Sequence, residues 1–285
     1  MRNFDTFERF RQRNEQQSSG QDKLMRLAVA AADGFVSMSS ASGGKSETVG
    51  DALLWYSTSS VPVFNGAGIF SEHLLRPCTL TAIYDYFRER SKPYSLLTVD
   101  GLTPDAHSVL TGMGYTEYDA SPGMWLDGSP ILWEPSSGRT SQLRVKQVST
   151  LADLYLFRGL LTEVFQIPAS EVNIVLSDMV LGAKHIRHYL AYLDDEGGEK
   201  AVGTITLVMS GTVAGIWNVG ISYLYRRQGI AARLMRHALE EARLMGYGAS
   251  MLLASHEGVS LYARLGYRTL STVRMYVPSA GAFAP

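Results

Sequence analysis

The chain holds one cysteine, Cys78, in 285 residues. A lone thiol excludes an internal disulfide and any metal site built from several cysteines, and fits a reducing compartment. The residue itself reads as a small buried hydrophobe. An excess of one charge is also lacking: 26 lysines and arginines against 27 aspartates and glutamates leave a net charge of −1, which argues against a general nucleic-acid binder. No run approaches the roughly 20 apolar residues of a membrane helix. The N-terminal stretch mixes both charges without an apolar core, so it does not read as a secretory leader. Phe4, Phe7 and Phe10 instead predict a short amphipathic helix docked on its own protein or on a partner subunit, with a membrane surface the lesser alternative. Walker, dinucleotide-binding and nucleophile-elbow patterns are absent. His185 and His188 stand at i, i+3, but no nearby cysteine or carboxylate completes a ligand set. They read as surface residues, and no metal is expected.

What is present is apolar content, 46% hydrophobic residues, enough for a substantial core in two domains or one large one. Residues 24–37 predict an apolar helix, followed by a Ser/Gly-rich loop at 38–46 expected to be exposed and mobile. Strands and turns alternate from 52 to 70, before a helix at about 80–91 and a strand at 94–99. A second half opens with a strand at 143–145 and helices around 150–164 and 169–181. Strands at 189–193 and 201–210 then lead through a turn at Gly211-Thr212 into the stretch that organises the chain.

That stretch is Trp217 to Met245. An alternating apolar run from Ile216 to Ile221 passes into a basic, glycine-bearing turn, Arg226 to Ala231, and then into a helix. Ile230, Leu234, Ala238 and Ala242 recur on one helix face beside Ala231 and Met235, with Gly246 as the stop. The first helical turn offers unpaired amides at the positive end of the macrodipole, where an anion is stabilised. Gly229 and Ala231 leave the amides of Gln228 to Ala232 accessible, and Arg226 and Arg227 add charge.

Arg226-x-x-Gly229-x-Ala231 resembles the R/Q-x-x-G-x-G/A signature of the GCN5-related N-acetyltransferases, whose turn grips the pyrophosphate of acetyl coenzyme A. The flanks extend the likeness. Met251 to Ala254 reads as a strand, Ser255-His256-Glu257-Gly258 follows, and Leu261-Tyr262-Ala263-Arg264-Leu265-Gly266-Tyr267 is similar to the family's L-Y-x-x-x-G-F/Y helix, with a closing strand at 273–277. The resemblance implies the order βααβββαβαβ and a mixed, mostly antiparallel sheet flanked by helices, splayed at its middle to admit the pantetheine arm.

The first half reads as a faded copy of the second. Val109 to Tyr115 aligns with Leu261 to Tyr267 at a constant offset of 152, and Phe64-Asn65 is similar to Trp217-Asn218. The copy lacks the phosphate turn and has Leu110 in the place of Tyr262. An α/β (α+β) chain of two such domains is expected: a degenerate one at 1–126, a linker at 127–142, and a coenzyme-binding one at 143–285. The halves carry 12 basic and 16 acidic residues (−4) against 14 and 11 (+3), a contrast that suits a cationic acceptor on one side and phosphates on the other, or is drift.

The resemblance assigns acetyl coenzyme A as cosubstrate and places its contacts on Asn218, Val219, Ile221, Arg226, Arg227, Gln228, Gly229, Ile230, Ala231, Ala232 and Ser255. A backbone amide within Asn218 to Ile221 would polarise the thioester carbonyl, and Asn218 and Gly220 are residues at which strands bulge. Tyr262 is the candidate general acid, with a core tyrosine as the alternative. Glu163 is the candidate base, with His256 or Glu257 as alternatives. Trp55, Tyr56, Phe64, Phe70, Trp125, Trp133 and Trp217 would either wall an acceptor cavity between the halves or fill the core. The implied function is direct acetyl transfer to a primary amine of a small molecule or peptide by a cytoplasmic monomer or homodimer, without nucleic-acid or membrane partners. The alternatives are a non-catalytic acyl-coenzyme A sensor or scaffold, and a tandem enzyme resembling mycothiol synthase.

Overall fold

The computed structural model describes residues 22–128, 143–195 and 198–279. The helix expected at Phe4 to Phe10, Trp133 and residues 129–142 of the expected linker lie outside them. The first half comprises α1 (Asp22–Ala41), β1 (Lys45–Val49), β2 (Ala52–Tyr56), β3 (Gly66–Ile69), α2 (Pro77–Glu89), β4 (Ser95–Val99), α3 (Ala106–Gly112) and β5 (Tyr115–Asp127). The second comprises β6 (Arg144–Gln147), α4 (Leu151–Phe165), α5 (Ala169–Val175), β7 (Ile186–Asp195), β8 (Gly198–Ser210), β9 (Val213–Ile221), α6 (Ile230–Leu244), β10 (Ala249–Leu253), α7 (Val259–Arg264) and β11 (Arg268–Pro278).

Among the described residues these strands join in one sheet of order β1-β2-β3-β4-β11-β5-β10-β9-β8-β7-β6. The chain's last strand therefore sits inside the first half. β11 pairs antiparallel with both β4 and β5, while β5 reaches across to pair antiparallel with β10. Among the described strands, only β3–β4 and β9–β10 run parallel. The mixed, mostly antiparallel sheet flanked by helices is the architecture expected from the sequence.

Side chains alternate cleanly between the two faces. Leu53, Leu97, Trp125, Met251 and Val273 join one core with α1, α4 and α5. Their neighbours turn to the other face, where Leu54 and Leu96 pack under α2 and α3, and Leu252 and Met124 pack with α6 and α7. α1 is apolar nearly all round, with Leu27 to Ala32 almost fully buried, which suits a helix enclosed on every side. It touches strands of both halves. α4 starts at a capping box, in which Thr150 accepts the Asp153 amide and the Asp153 carboxylate accepts the Thr150 amide.

Four expectations fail here. The 38–46 stretch is not an exposed loop: α1 continues to Ala41, Met38, Ser39 and Ala41 are buried, and Ser39 Oγ donates to the Phe64 carbonyl at 3.2 Å. Cys78 is exposed, in the first turn of α2. His188 is buried on β7, since its register places it under α4 with its ring 4.9 Å from that of Phe157. On α6, Ala232 rather than Ala231 is fully buried.

Candidate active site

The sheet opens at its middle. β9 and β10 pair only from Val213↔Ala249 to Ile216↔Leu252, after which β9 continues to Ile221 while β10 ends at Leu253. β9 stays bound to β8 on its other side, but not regularly. Thr204 faces Gly220 and Thr206 faces Trp217, so Asn218 and Val219 together stand opposite Ile205. This is a β-bulge, which takes backbone groups off the ladder. Asn218 sits at φ 53°, in the left-handed region that asparagine tolerates best among side-chain-bearing residues. Thr204 Oγ1 donates to the Asn218 carbonyl at 2.8 Å, and Asn218 Nδ2 donates to Thr206 Oγ1 at 3.1 Å.

Beyond β9 a short 3-10 turn, Tyr223–Tyr225, leads into the basic loop. Gly229 caps α6 at φ 82°, preceded by Arg227 at φ 62°. The left-handed Gly229 aims the chain so that the amides of Ile230, Ala231 and Ala232, which no helix can satisfy internally, face out of its end. Arg226 donates from Nε to the Ile221 carbonyl at 3.3 Å, lies 4.0 Å over the Tyr223 ring, and meets Glu257 at 3.8 Å. It thus spans from the end of β9 to the loop after β10, across the mouth of the opening. Arg227 is exposed, and Gln228 Nε2 donates to the Leu224 carbonyl at 3.4 Å.

On the β10 side, Ser255 Oγ accepts the Gly258 amide at 3.2 Å and so shapes the entry to α7. Tyr262 lies in that helix against Gly258, where an added Cβ would come within 2.6 Å of the Tyr262 ring. Burial pushes the Tyr262 phenol up to about 12. It packs edge-on to Tyr267 at 6.1 Å. His256 and Glu257 are exposed in the loop between.

Glu163, exposed near the end of α4, accepts the Tyr223 amide at 3.2 Å. Its neighbours Val164 and Phe165 abut Gly220, where a Cβ would lie 3.1 Å from each. The sequence reading overlooked Phe165, Tyr223 and Leu224, whose exposed apolar surfaces belong to this same region. It also overlooked Thr204 and Thr206 beneath the bulge, because a buried threonine in a strand carries no sequence signal of its own.

The aromatic residues divide. Trp55, Phe64, Phe70 and Trp125 are core, whereas Tyr56 and Trp217 are half-buried. Trp217 lies edge-on to Phe35 at 5.2 Å and so close to α1 that a Cβ on Gly34 would sit 2.1 Å from the indole. Glycine at 34 is therefore a packing requirement.

Residues 156–267 match the model of the Acetyltransferase (GNAT) family. Among solved structures, a GCN5-related N-acetyltransferase from Kribbella flavida is similar over 91% of this chain and 96% of its own, at 18% identity and a TM-score of 0.67. One from Sphaerobacter thermophilus is similar over 80% of this chain and 78% of its own, at 14% identity and a TM-score of 0.57. A tandem GNAT protein from the clavulanic acid biosynthesis pathway is similar over 79% and 78%, at 13% identity and a TM-score of 0.52. No curated protein matches the chain. At these identities the structural likeness speaks to fold, so the C-terminal segment carries the acetyltransferase (GNAT) family pattern in its sequence and the chain as a whole carries the GNAT fold.

Proposed function

We propose that this protein transfers an acetyl group from acetyl coenzyme A to a primary amine of a small molecule or peptide. The observation that carries the reading is the parting of β9 from β10 after Ile216, directly before a left-handed Gly229 at the start of α6. Such an opening admits a thin extended chain between two strands, and the helix start beyond it suits its phosphates. Gln228 to Ala232 would hold the pyrophosphate through backbone amides, with Arg226 and Arg227 adding charge. Val219 and Ile221 would pair with the pantetheine amides, and Ser255 would border the arm from the β10 side. When bound, the thioester supplies the activated acetyl group.

The chain's own residues supply the rest. An amide freed by the bulge at Asn218 and Val219 would be suited to stabilising negative charge on a carbonyl oxygen. Tyr262, on the helix that follows β10, keeps its proton at neutral pH and would serve as an acid for a departing thiolate. Glu163, beside the bulge, is the candidate acceptor of the amine's proton. Its engagement with the Tyr223 amide favours a second reading, in which the chain binds acyl-coenzyme A without turnover.

The first half reads as a degenerate copy, at 1–126, that does not take coenzyme. β3 and β4 stay paired over Gly66–Ile69, and the segment before α2 is a 3-10 turn at Glu72–Leu75 followed by Pro77. Gly114 and Gly266, 152 residues apart, share left-handed φ values of 85° and 97°, each before a buried tyrosine. A cytoplasmic setting fits the single exposed thiol.

Isothermal titration with acetyl coenzyme A, followed by thiol release against a panel of amines, tests the proposal. Binding with release establishes the transferase, binding without release favours the sensor, and no binding overturns both.

A further inference from the structure

Three adjacent strands carry one row of side chains beside the bulge. His188, Thr206 and Trp217 stand opposite one another on β7, β8 and β9, and Asn218 bends back to the middle member. Thr204 and Thr206 are fully buried, yet their hydroxyls are not spent within their own strand. One grips the Asn218 carbonyl and the other its side-chain amide. Thr206 Oγ1 also lies 2.8 Å from His188 Nδ1. Thr206 Oγ1 is thus shared by two side chains, accepting from Asn218 Nδ2 and hydrogen-bonded to the Nδ1 of His188, whose ring burial holds neutral.

A left-handed asparagine on a strand relaxes toward extended backbone unless its surroundings fix it. Here two hydroxyls hold it from both ends, and an apolar pair at the same positions would hold neither. His188 Nε2 remains buried without a partner among the described residues, a cost that packing alone does not explain.

We propose that Thr204, Thr206 and His188 are positioning residues that lock the Asn218–Val219 bulge, so that its amide is pre-aimed at the acyl carbonyl. The proposal rests on the acyl-transfer reading of this site. It differs from a packing role because the hydroxyl, not the volume, is what matters.

The test compares Thr206→Val with Thr206→Ser in the full chain, using thiol release from acetyl coenzyme A, calorimetric coenzyme affinity, and hydrogen exchange of the 217–221 segment. The valine variant is expected to lose about 10- to 100-fold in kcat, keep its coenzyme Kd within about twofold, and exchange faster at 217–221, with serine restoring all three. Asn218→Gly keeps the left-handed backbone but removes the side chain, so it should match valine in kcat, and the double variant should be no worse than either. It also decides the case if Thr206→Val is unstable. Unaltered kcat and exchange in these variants overturn the lock. If the wild type neither binds nor releases coenzyme, the acyl-transfer reading falls, and the exchange measurement still judges whether the row holds the bulge.

Discussion

Arg274 on β11 grips Asp100 at the end of β4 with two parallel hydrogen bonds, Nε to Oδ1 at 2.9 Å and Nη2 to Oδ2 at 3.0 Å. Its remaining nitrogen reaches Glu117 on β5 at 2.8 Å. The three strands it links are those through which the last segment of the chain is built into the first half. Both partners are partly exposed, so the cluster contributes about 1–2 kcal/mol. Arg274→Ala should lower the melting temperature by about 2–6 °C, read by differential scanning fluorimetry, with coenzyme affinity unchanged.

Gly229→Val should weaken acetyl coenzyme A binding by about tenfold or more. A β-branched residue is strained at φ 82°, and its side chain would stand over the amides at the helix start. Calorimetry on folded variant, checked by circular dichroism, reads the effect. Gly229→Ala should fall between.

Tyr262→Phe should lower kcat by about 100-fold and leave the coenzyme Kd within about twofold. Burial disfavours the phenolate and raises the phenol to about 12, so the proton stays on Tyr262 as pH rises through the working range. The kcat profile of the wild type should therefore show no basic limb from this group below about pH 11. A limb near pH 9 that disappears in the phenylalanine variant would contradict the burial-raised phenol, whereas an unaltered kcat in that variant would remove Tyr262 as the acid.

Glu163→Gln retains an oxygen for the Tyr223 amide and removes the charge. If the carboxylate takes the amine's proton, turnover at pH 7 should fall about 100-fold and recover toward high pH, where the amine is already neutral. An unaltered rate would leave Glu163 as a cap for the turn at Tyr223.

Acid should destabilise the fold through His188. Burial lowers its pKa from 6.5 to about 4, so the folded state favours the neutral ring. The stability linked to this group is complete above the unfolded value near 6.5 and is lost as pH falls through about 4, up to about 3 kcal/mol in total. His185 and His237 are lowered in the same direction, each mainly by burial. Urea melts at pH 7, 5 and 4 should show this slope, and His188→Gln should flatten it.

Much of the candidate site's backbone geometry was legible because its parts are local. Gly229, Arg226 and the periodic face of α6 lie within one continuous stretch, where the conformation of one residue and the spacing of the next few decide the structure. The bulge at Asn218 was legible for the same reason. The Ser/Gly stretch at 38–46 misled because loop-forming residues were judged without their surroundings: small side chains there let α1 run on beneath both halves. His188 misled because a lone histidine on a strand does not disclose which face is covered.

The sequence by itself determined most of the elements, the alternation that sorts their side chains between two faces, and the glycine that opens α6. Tertiary structure alone decided which strand edges meet. Backbone edges carry no address, so nothing local places β11 between β4 and β5, joins Arg274 to Asp100 across 174 positions, or brings Glu163 to Tyr223 across 60. Those pairings follow from burying both faces of the sheet at once, a condition that only the whole folded chain can satisfy.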